Sequence, residues 1–293
     1  MKSIRKLYFQ NAAGERYGLN GEHGVYASLL AGFGFTLSPV FADLSRGFWV
    51  PVSDESEPQN TIPFTMTFTR APYDTYQAFV NWINAAGTVT IIYNPTGKQE
   101  FCRDVAINTV QKGELSAVGW LEVPCSYYCI TPWYLPSPTQ LKLNADAVDV
   151  SKRYDYSYTD ALIYGVDSTA ACSGTIFGAG HIPGAIELEY HGGITNPKIR
   201  LVGNVTGKTY GICAVSAVLL ASDTLKISTK YENAYVKKVA ADGVETDLLD
   251  ALDLSTTPFF HIPVDEACTI SIESDAAFTG YADLMIFYYY RSV

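Results

Sequence analysis

The sequence predicts a mainly β protein built as two domains. Three observations lead there. Apolar residues recur at every second position along most of the chain. Gly, Pro, Asn or Asp interrupts these runs about every ten residues, as turns between short strands do. Only one long segment breaks the rhythm with helical spacing. The length of 293 residues is comfortable for two domains, each burying its own core. Apolar residues make up 48% and charged residues 17%, which argues against disorder because enough apolar surface exists to offset chain entropy.

Residues 1–130 are expected to form the first domain. "TIPFTMTFTR" places Ile62, Phe64, Met66 and Phe68 on one face and Thr61, Thr65, Thr67 and Thr69 on the other. "TVTIIYN" and "AVGWLEVPCSYYC" continue in the same style. In "APYDTYQAFVNWINAAG" the residues Tyr73, Tyr76, Phe79, Val80 and Ile83 recur at helical spacing, so one amphipathic helix is predicted over about 72–86. Pro72 suits its first turn and Gly87 its end.

Residues 131–153 change texture. Pro132, Pro136 and Pro138 lie close together. Proline removes a donor and fixes φ, so this stretch reads as an extended connector rather than a central strand. The second domain is expected over 154–293. It opens with "YDYSYTD", where Tyr154, Tyr156 and Tyr158 alternate with Asp155, Ser157 and Thr159. "AIELEYHG", "KIRLVG", "TYGICAV", "TLKISTK", "AYVKKVA", "CTISIES" and "ADLMIFYYY" follow, in the spacing of a β-sandwich. "GICAVSAVLLAS" reads as a buried strand, too short for the ~18 residues of a membrane span. A short helical turn is expected in "ETDLLDALD", with Leu248, Leu249 and Leu252 on one face.

The stretch "AIELEYHGG" raises the question of chemistry. Glu187, Glu189 and His191 are metal-ligand types spaced two apart. Yet the ends of that set lie roughly 14 Å apart on a strand rising about 3.4 Å per residue, so one ion does not easily bind both. Ile186, Leu188 and Tyr190 form the natural core face, which leaves the three polar groups toward water. Neither His23, His181 nor His261 has a partner in an H-E-x-x-H arrangement, and each reads as a turn or packing residue. No G-x-S-x-G, Walker or dinucleotide-binding sequence is present. Cys125 and Cys129 are four apart with no second close pair to complete a zinc knuckle, so they and Cys102, Cys172, Cys213 and Cys268 read as small buried thiols. The expectation is therefore no catalytic residue, no metal and no cofactor. The net charge of −10 argues against a general nucleic-acid binder. The N-terminus lacks the apolar segment of a signal peptide.

Both ends of the chain resemble one family. "LYFQNAAGERYGLNGEHGVYASLLAGFGF" is similar to an N-x-x-G-x-R-x-x-L-N strand-turn-strand followed by a Gly-aromatic-Gly stretch, here Asn11, Gly14, Arg16, Leu19, Asn20, Gly32, Phe33 and Gly34. The second half matches through "NPKIRLVGNVTGKTYG", "LKIST" and "TPFFHIPVDEACTISIES". These are features of the distal tail (Dit) proteins of long-tailed phages, siphovirus tail components. One departure is that "VDEAC" lacks the glycine often seen before that strand.

The resemblance implies an N-terminal β-sandwich or barrel-like domain with one helix, and a C-terminal galectin-like β-sandwich. It implies a hub protein of the tail tip or baseplate, not an enzyme. The first domain assembles as a homo-hexameric ring that joins the tail tube protein to a tail-tip (tail-associated) protein. The second holds receptor-binding or other baseplate proteins. No membrane or specific nucleic-acid partner is implied, and DNA passes through the lumen, which the acidic charge partly lines. Localisation follows: the virion tail tip, after synthesis in the host cytoplasm without a signal peptide. Phe33, Phe35, Phe48 and Trp49 are the candidate subunit contacts. An alternative is a carbohydrate-binding module for cell-surface attachment, with Tyr154, Tyr156 and Tyr158 as the ligand row. A hydrolase of surface polymers is a third reading, with no sequence motif behind it.

Overall fold

The structure is a computed structural model that describes residues 5–28, 31–34, 41–43, 49–51, 61–139, 172–276 and 278–293. The chain divides into two compact units, Met1–Leu135 with Tyr290–Val293, and Pro136–Tyr289.

The first unit contains β1 (Lys6–Asn11), β2 (Arg16–Gly18), β3 (Val25–Ser28), β4 (Phe41–Asp43), β5 (Trp49–Pro51) and β6 (Thr61–Phe68). After helix α1 (Pro72–Ala85) come β7 (Val89–Asn94), β8 (Phe101–Val110), β9 (Leu121–Cys129) and β10 (Trp133–Thr139). Antiparallel pairing runs β1–β7–β8–β9–β6–β3. The path closes through the residues after β2, which itself pairs with β1. The Leu19 N–H donates to the Leu7 carbonyl at 3.0 Å, and the Leu19 carbonyl accepts from Ala27 at 2.9 Å. Asn20 bridges Tyr26. The sheet is thus barrel-like, and closure removes the free edges that β1 and β3 would otherwise expose. The β4–β5 hairpin stands as a separate pair.

Alternation fills this barrel. Phe64, Met66 and Phe68 of β6 are buried, as the sequence pattern requires, beside Val89 and Ile91 of β7 and Leu121, Val123 and Tyr127 of β9. The helix forms where expected. Pro72 occupies its first turn, and Gly87 follows its end at φ 66°, a left-handed backbone that favours glycine. Its Phe79 is completely buried, with ring centroids 5.9 Å from Phe68, 6.4 Å from Phe9 and 5.1 Å from Tyr17. Tyr76 meets Phe68 edge-on, and Trp82 lies against Tyr17. Strand β10 begins inside the stretch read as a connector. Trp133 at its start is buried in the first unit, and Tyr134 pairs with Cys102 of β8. The rest of that stretch from residue 140, and the predicted opening strand with Tyr154, Tyr156 and Tyr158, lie outside the described residues.

The second unit contains β11 (Cys172–Phe177), β12 (Ile182–Thr195), β13 (Lys198–Gly203), β14 (Thr209–Ala214), β15 (Val218–Leu219) and β16 (Thr224–Thr229). It continues with β17 (Ala234–Val239), β18 (Glu245–Asp247), β19 (Ala267–Glu273) and β20 (Thr279–Tyr290). One layer has the order β18-β17-β16-β12-β20, with β15 beside the end of β12. The other is β11-β19-β13-β14. Ile186, Leu188 and Tyr190 of β12, Leu225 and Ile227 of β16 and Leu284 and Ile286 of β20 share one core with Ile199 and Leu201 of β13 and Ile270 and Ile272 of β19. This is a two-sheet sandwich.

One local expectation fails here, and a second holds for the turn but not for its face. "GICAVSAVLLAS" is two strands, β14 and β15, and Val218 and Leu220 point to water while Val215 and Leu219 are buried. An extended chain shows successive side chains to opposite sides, so a continuous apolar run cannot turn every member inward. In "ETDLLDALD", β18 is followed by a single 3₁₀ turn over Leu249–Ala251. Leu252 resumes extended backbone and is buried, whereas Leu249 is exposed.

Phe79→Ala is expected to destabilise the first unit by about 3–5 kcal/mol, the cost of truncating a fully buried Phe. Tyr73→Ala, at an exposed position of the same helix, should stay within about 0.5 kcal/mol. Urea unfolding followed by Trp fluorescence reads both, and equal effects would mean that Phe79 does not anchor α1.

Candidate functional site

The polar face of β12 answers the metal question. Pairing sets Glu189 between Lys226 of β16 and Asp283 of β20, and His191 between Thr224 and Tyr281. Glu189 binds Lys226 at 2.9 Å, and Glu187 binds Lys230 at 2.8 Å. Asp283 faces His191 at 3.7 Å, and the imidazole stacks on Tyr281 with centroids 4.8 Å apart. Farther out, Lys237 pairs with Glu245 at 3.0 Å. Glu187 and Glu189 are therefore engaged by lysines in a checkered surface, while Asp283 and Glu189 approach His191 Nε2 at 3.7 and 4.0 Å. Among the described residues no group of three or more ligating side chains converges on one point. Ion pairs as exposed as these contribute about 0–1 kcal/mol each, so the face is wettable rather than adhesive.

Four of the thiols are held in the protonated form. Burial pushes Cys125 and Cys213 up to about 12, and Cys268 up to about 11. Cys102 rises to about 12 through burial and then the nearby carboxylates of Asp104 and Glu100. None is a thiolate near neutral pH.

The N-terminal motif residues prove to be joints. Asn11 Oδ1 accepts the Glu15 N–H at 2.8 Å, and Gly14 takes φ 82° in the turn between them. Arg16 grips Glu100 with both nitrogens, at 3.1 and 2.8 Å. Leu19 is buried, and Asn20 donates to the Arg5 carbonyl. The Gly32 carbonyl accepts Arg103 Nη1 at 2.7 Å and Trp133 Nε1 at 2.8 Å. Gly32 has φ 88° and lies against Tyr127 and Ile62, so a larger residue there is both strained and crowded. Phe33 is half-buried between Tyr93 at 4.4 Å and Trp133 at 5.6 Å, and its carbonyl accepts the Val293 N–H. Of the other contact candidates, Trp49 lies on β5 opposite Asp43, and Phe35 and Phe48 fall outside the described residues. The ligand row Tyr154, Tyr156 and Tyr158 does as well.

In the second half, the turn before β19 does without a glycine because Asp265 itself takes φ 57°. Its N–H donates to the Gly178 carbonyl at 3.1 Å, and Gly178 donates back to Glu266. Asp tolerates this conformation better than most residues.

One surface was not singled out by the sequence reading. The hairpin joining β8 to β9 closes through a Leu115–Leu121 bridge and a Ser116–Trp120 main-chain bond of 2.8 Å, with Gly119 at φ 79°. It presents Leu115, Val118 and Trp120 to water, Val118 being 69% exposed. Beside it Lys112 sits over the Tyr73 ring at 4.6 Å. Large apolar residues at a glycine turn were the available signal.

Of the histidines, His23 takes a left-handed turn conformation at φ 57°, and the His181 N–H donates to the Tyr289 carbonyl. His261 stacks on Tyr231 with centroids 3.8 Å apart, and its buried Nε2 has no hydrogen-bond partner among the described residues. Burial holds its pKa below the ordinary 6.5, opposed by a main-chain hydrogen bond with Thr229.

Residues 6–130 match the family described as the distal tail protein, N-terminal domain. The chain is also similar to a chain of the phage p2 baseplate in its activated conformation, with TM-score 0.67 and 15% identity over 99% of this chain and 100% of that one. A second similarity is to the Dit protein of phage SPP1, described as a paradigm of the hub adsorption apparatus in Gram-positive infecting phages. There the TM-score is 0.56 and the identity 10%, over 97% and 98% of the two chains. At these identities the likenesses establish the fold. No curated protein matches the chain.

His261 generates a pH prediction. Its folded pKa lies below 6.5, so the unfolded chain takes up the proton first as pH falls. The neutral ring's contribution is full above 6.5 and is lost as pH drops through the folded value. His261→Phe keeps an aromatic ring without titration, so its melting temperature should fall less as pH is lowered from about 7.5 into the range below 6.5. Parallel pH profiles for the two proteins would rule this out.

Proposed function

Starting from a first unit that belongs to the distal tail protein family, we propose that the chain is a structural hub of a phage tail tip. Six copies close a ring that joins the tail tube to the tail-tip and receptor-binding proteins. The observation that carries this reading is the family match over the first unit, joined to a baseplate-type fold running through both units. The chemistry agrees: thiols held protonated and carboxylates neutralised by lysines suit a scaffold.

Ring closure needs a head-to-tail contact, in which one patch meets a different patch on the neighbour and the rotation closes. We assign one side of that contact to the Leu115–Trp120 hairpin, whose exposed apolar side chains lie outside the unit's core. The sequence-derived candidates Phe33, Phe35, Phe48 and Trp49 are proposed for the receiving side. The net charge of −10 favours a lumen that repels DNA and lets it slide. The particle location at the tail tip follows from the same reading.

Light scattering on the purified chain tests it. A mass six times that of the chain, alone or with the tube protein added, is expected. A monomer that persists with the tube protein in excess would remove the ring. The triple change Leu115→Ser, Val118→Ser and Trp120→Ser should abolish the six-fold mass while shifting unit stability by no more than about 0.5 kcal/mol per exposed site. An unaltered ring would move the contact elsewhere.

A further inference from the structure

The second unit carries an apolar surface that its own core leaves unused. Two segments run side by side. Val215 bridges Leu252, Ser216 donates to the Ala251 carbonyl at 2.8 Å, and Asp253 donates to the Ala214 carbonyl at 3.0 Å. Along the first segment, Val215 and Leu219 are buried, while Val218 and Leu220 are 62% and 63% exposed. On the second, Leu249 and Leu254 are 42% and 77% exposed. The alternation rule is kept, but the outward positions hold aliphatic side chains where a solvated face carries polar ones.

The two segments themselves carry charge of one sign, and the lysines nearest them, Lys237 and Lys238 of β17, are already paired. From 240 to 257 the chain holds Asp242, Glu245, Asp247, Asp250 and Asp253 and no Lys or Arg. From 209 to 225 it holds Asp223 and again no Lys or Arg. Asp223 and Glu245 are taken by Lys238 and Lys237. Asp247 and Asp253 accept hydrogen bonds from nearby Leu249 and Ser255, which orient them without neutralising them. The Ser255 bonds hold Asp253 below the usual carboxylate range, so it stays anionic.

We infer that this aliphatic surface with its acidic border is a docking site for a basic segment of a partner protein, one that alternates Lys or Arg with large apolar side chains. The inference rests on the hub reading for where such a partner is found, but its chemistry comes from the surface. A second copy presenting the same acidic border would meet like charge, and so would an anionic lipid headgroup. The apolar groups supply burial and the carboxylates supply register and orientation.

The test uses the intact chain and two labelled synthetic peptides, one alternating Lys with Leu and the other Glu with Leu, read by fluorescence anisotropy. The Lys–Leu peptide is expected to bind, more weakly as salt rises, and the Glu–Leu peptide is not. Val218→Ser with Leu254→Ser should weaken binding about tenfold or more, since burial of two aliphatic side chains is lost. Asp247→Lys with Asp250→Lys should exchange the two peptides' order. Equal binding of both peptides, or no change in either variant, overturns the proposal. Light scattering on the Val218→Ser, Leu254→Ser variant separates the readings. Loss of a six-fold mass there would assign the surface to a second copy and overturn the proposal, whereas an intact mass with lost peptide binding supports it. A chain that never forms the ring but binds the Lys–Leu peptide leaves the docking site standing and the hub reading fallen.

Discussion

Both units rest on one geometric constraint: an extended backbone shows its side chains alternately to two sides, so each strand must find something to cover its apolar side. The two units meet it differently. In the first, β6, β7 and β9 curl their Phe, Met and Ile positions inward, and the Leu19 bonds to Leu7 and Ala27 complete the circuit. A barrel covers itself, and α1 brings Phe79 to meet Phe9 and Phe68. In the second, two open layers cover one another, with Ile186 and Leu188 facing the same core as Ile270 and Ile272. The other side of each layer is left to water, and there its chemistry is decided.

That outer side shows how the ligand-type residues in "AIELEYHGG" are engaged instead by neighbouring strands. Antiparallel register brings Glu189 beside Asp283, a repulsive neighbour, and beside Lys226, an attractive one. The 2.9 Å pair with Lys226 resolves the conflict by neutralisation. An ion at Glu189 would have to compete with that lysine. The residue types alone pointed to a metal, whereas the spacing and cross-strand partners point to a soluble sheet.

How much of this was legible in the sequence depends on whether the signal is local. Helix α1 and the buried positions of β6 are local patterns, visible in Tyr76, Phe79 and Ile83 and in Phe64, Met66 and Phe68. The barrel's closure is not local. It depends on Leu19 meeting both Leu7 and Ala27, a choice of partner that no short window encodes. The prolines of 132–138 mark a change of texture, but proline in a strand is tolerated where its missing N–H is not needed, and Trp133 beside them belongs to the core. Asp265 illustrates the converse: the sequence lacks the expected glycine, yet the turn forms because Asp can take a left-handed φ. Hydrophobicity in "GICAVSAVLLAS" predicts burial, yet Val218 and Leu220 are exposed because alternation continues through a mostly apolar run.

The exposed residues of that run bear on why a scaffold needs surfaces of two kinds. A protein that meets several different neighbours gains specificity when most of its surface is indifferent and a few places are not. The lysine–carboxylate checkerboard on β12, β16 and β17 provides indifference, because each charge already has a partner and little is gained by exchanging it for another. Leu115, Val118 and Trp120 on one unit, and Val218, Leu220, Leu249 and Leu254 on the other, are different in kind. Their burial stabilises any contact that fits them, and among the described residues they stay exposed. The acidic border of the second patch adds a sign to that attraction, while the first lies beside Lys112 and Glu114, one charge of each sign. Two apolar surfaces with different borders would let one chain keep two classes of neighbour apart.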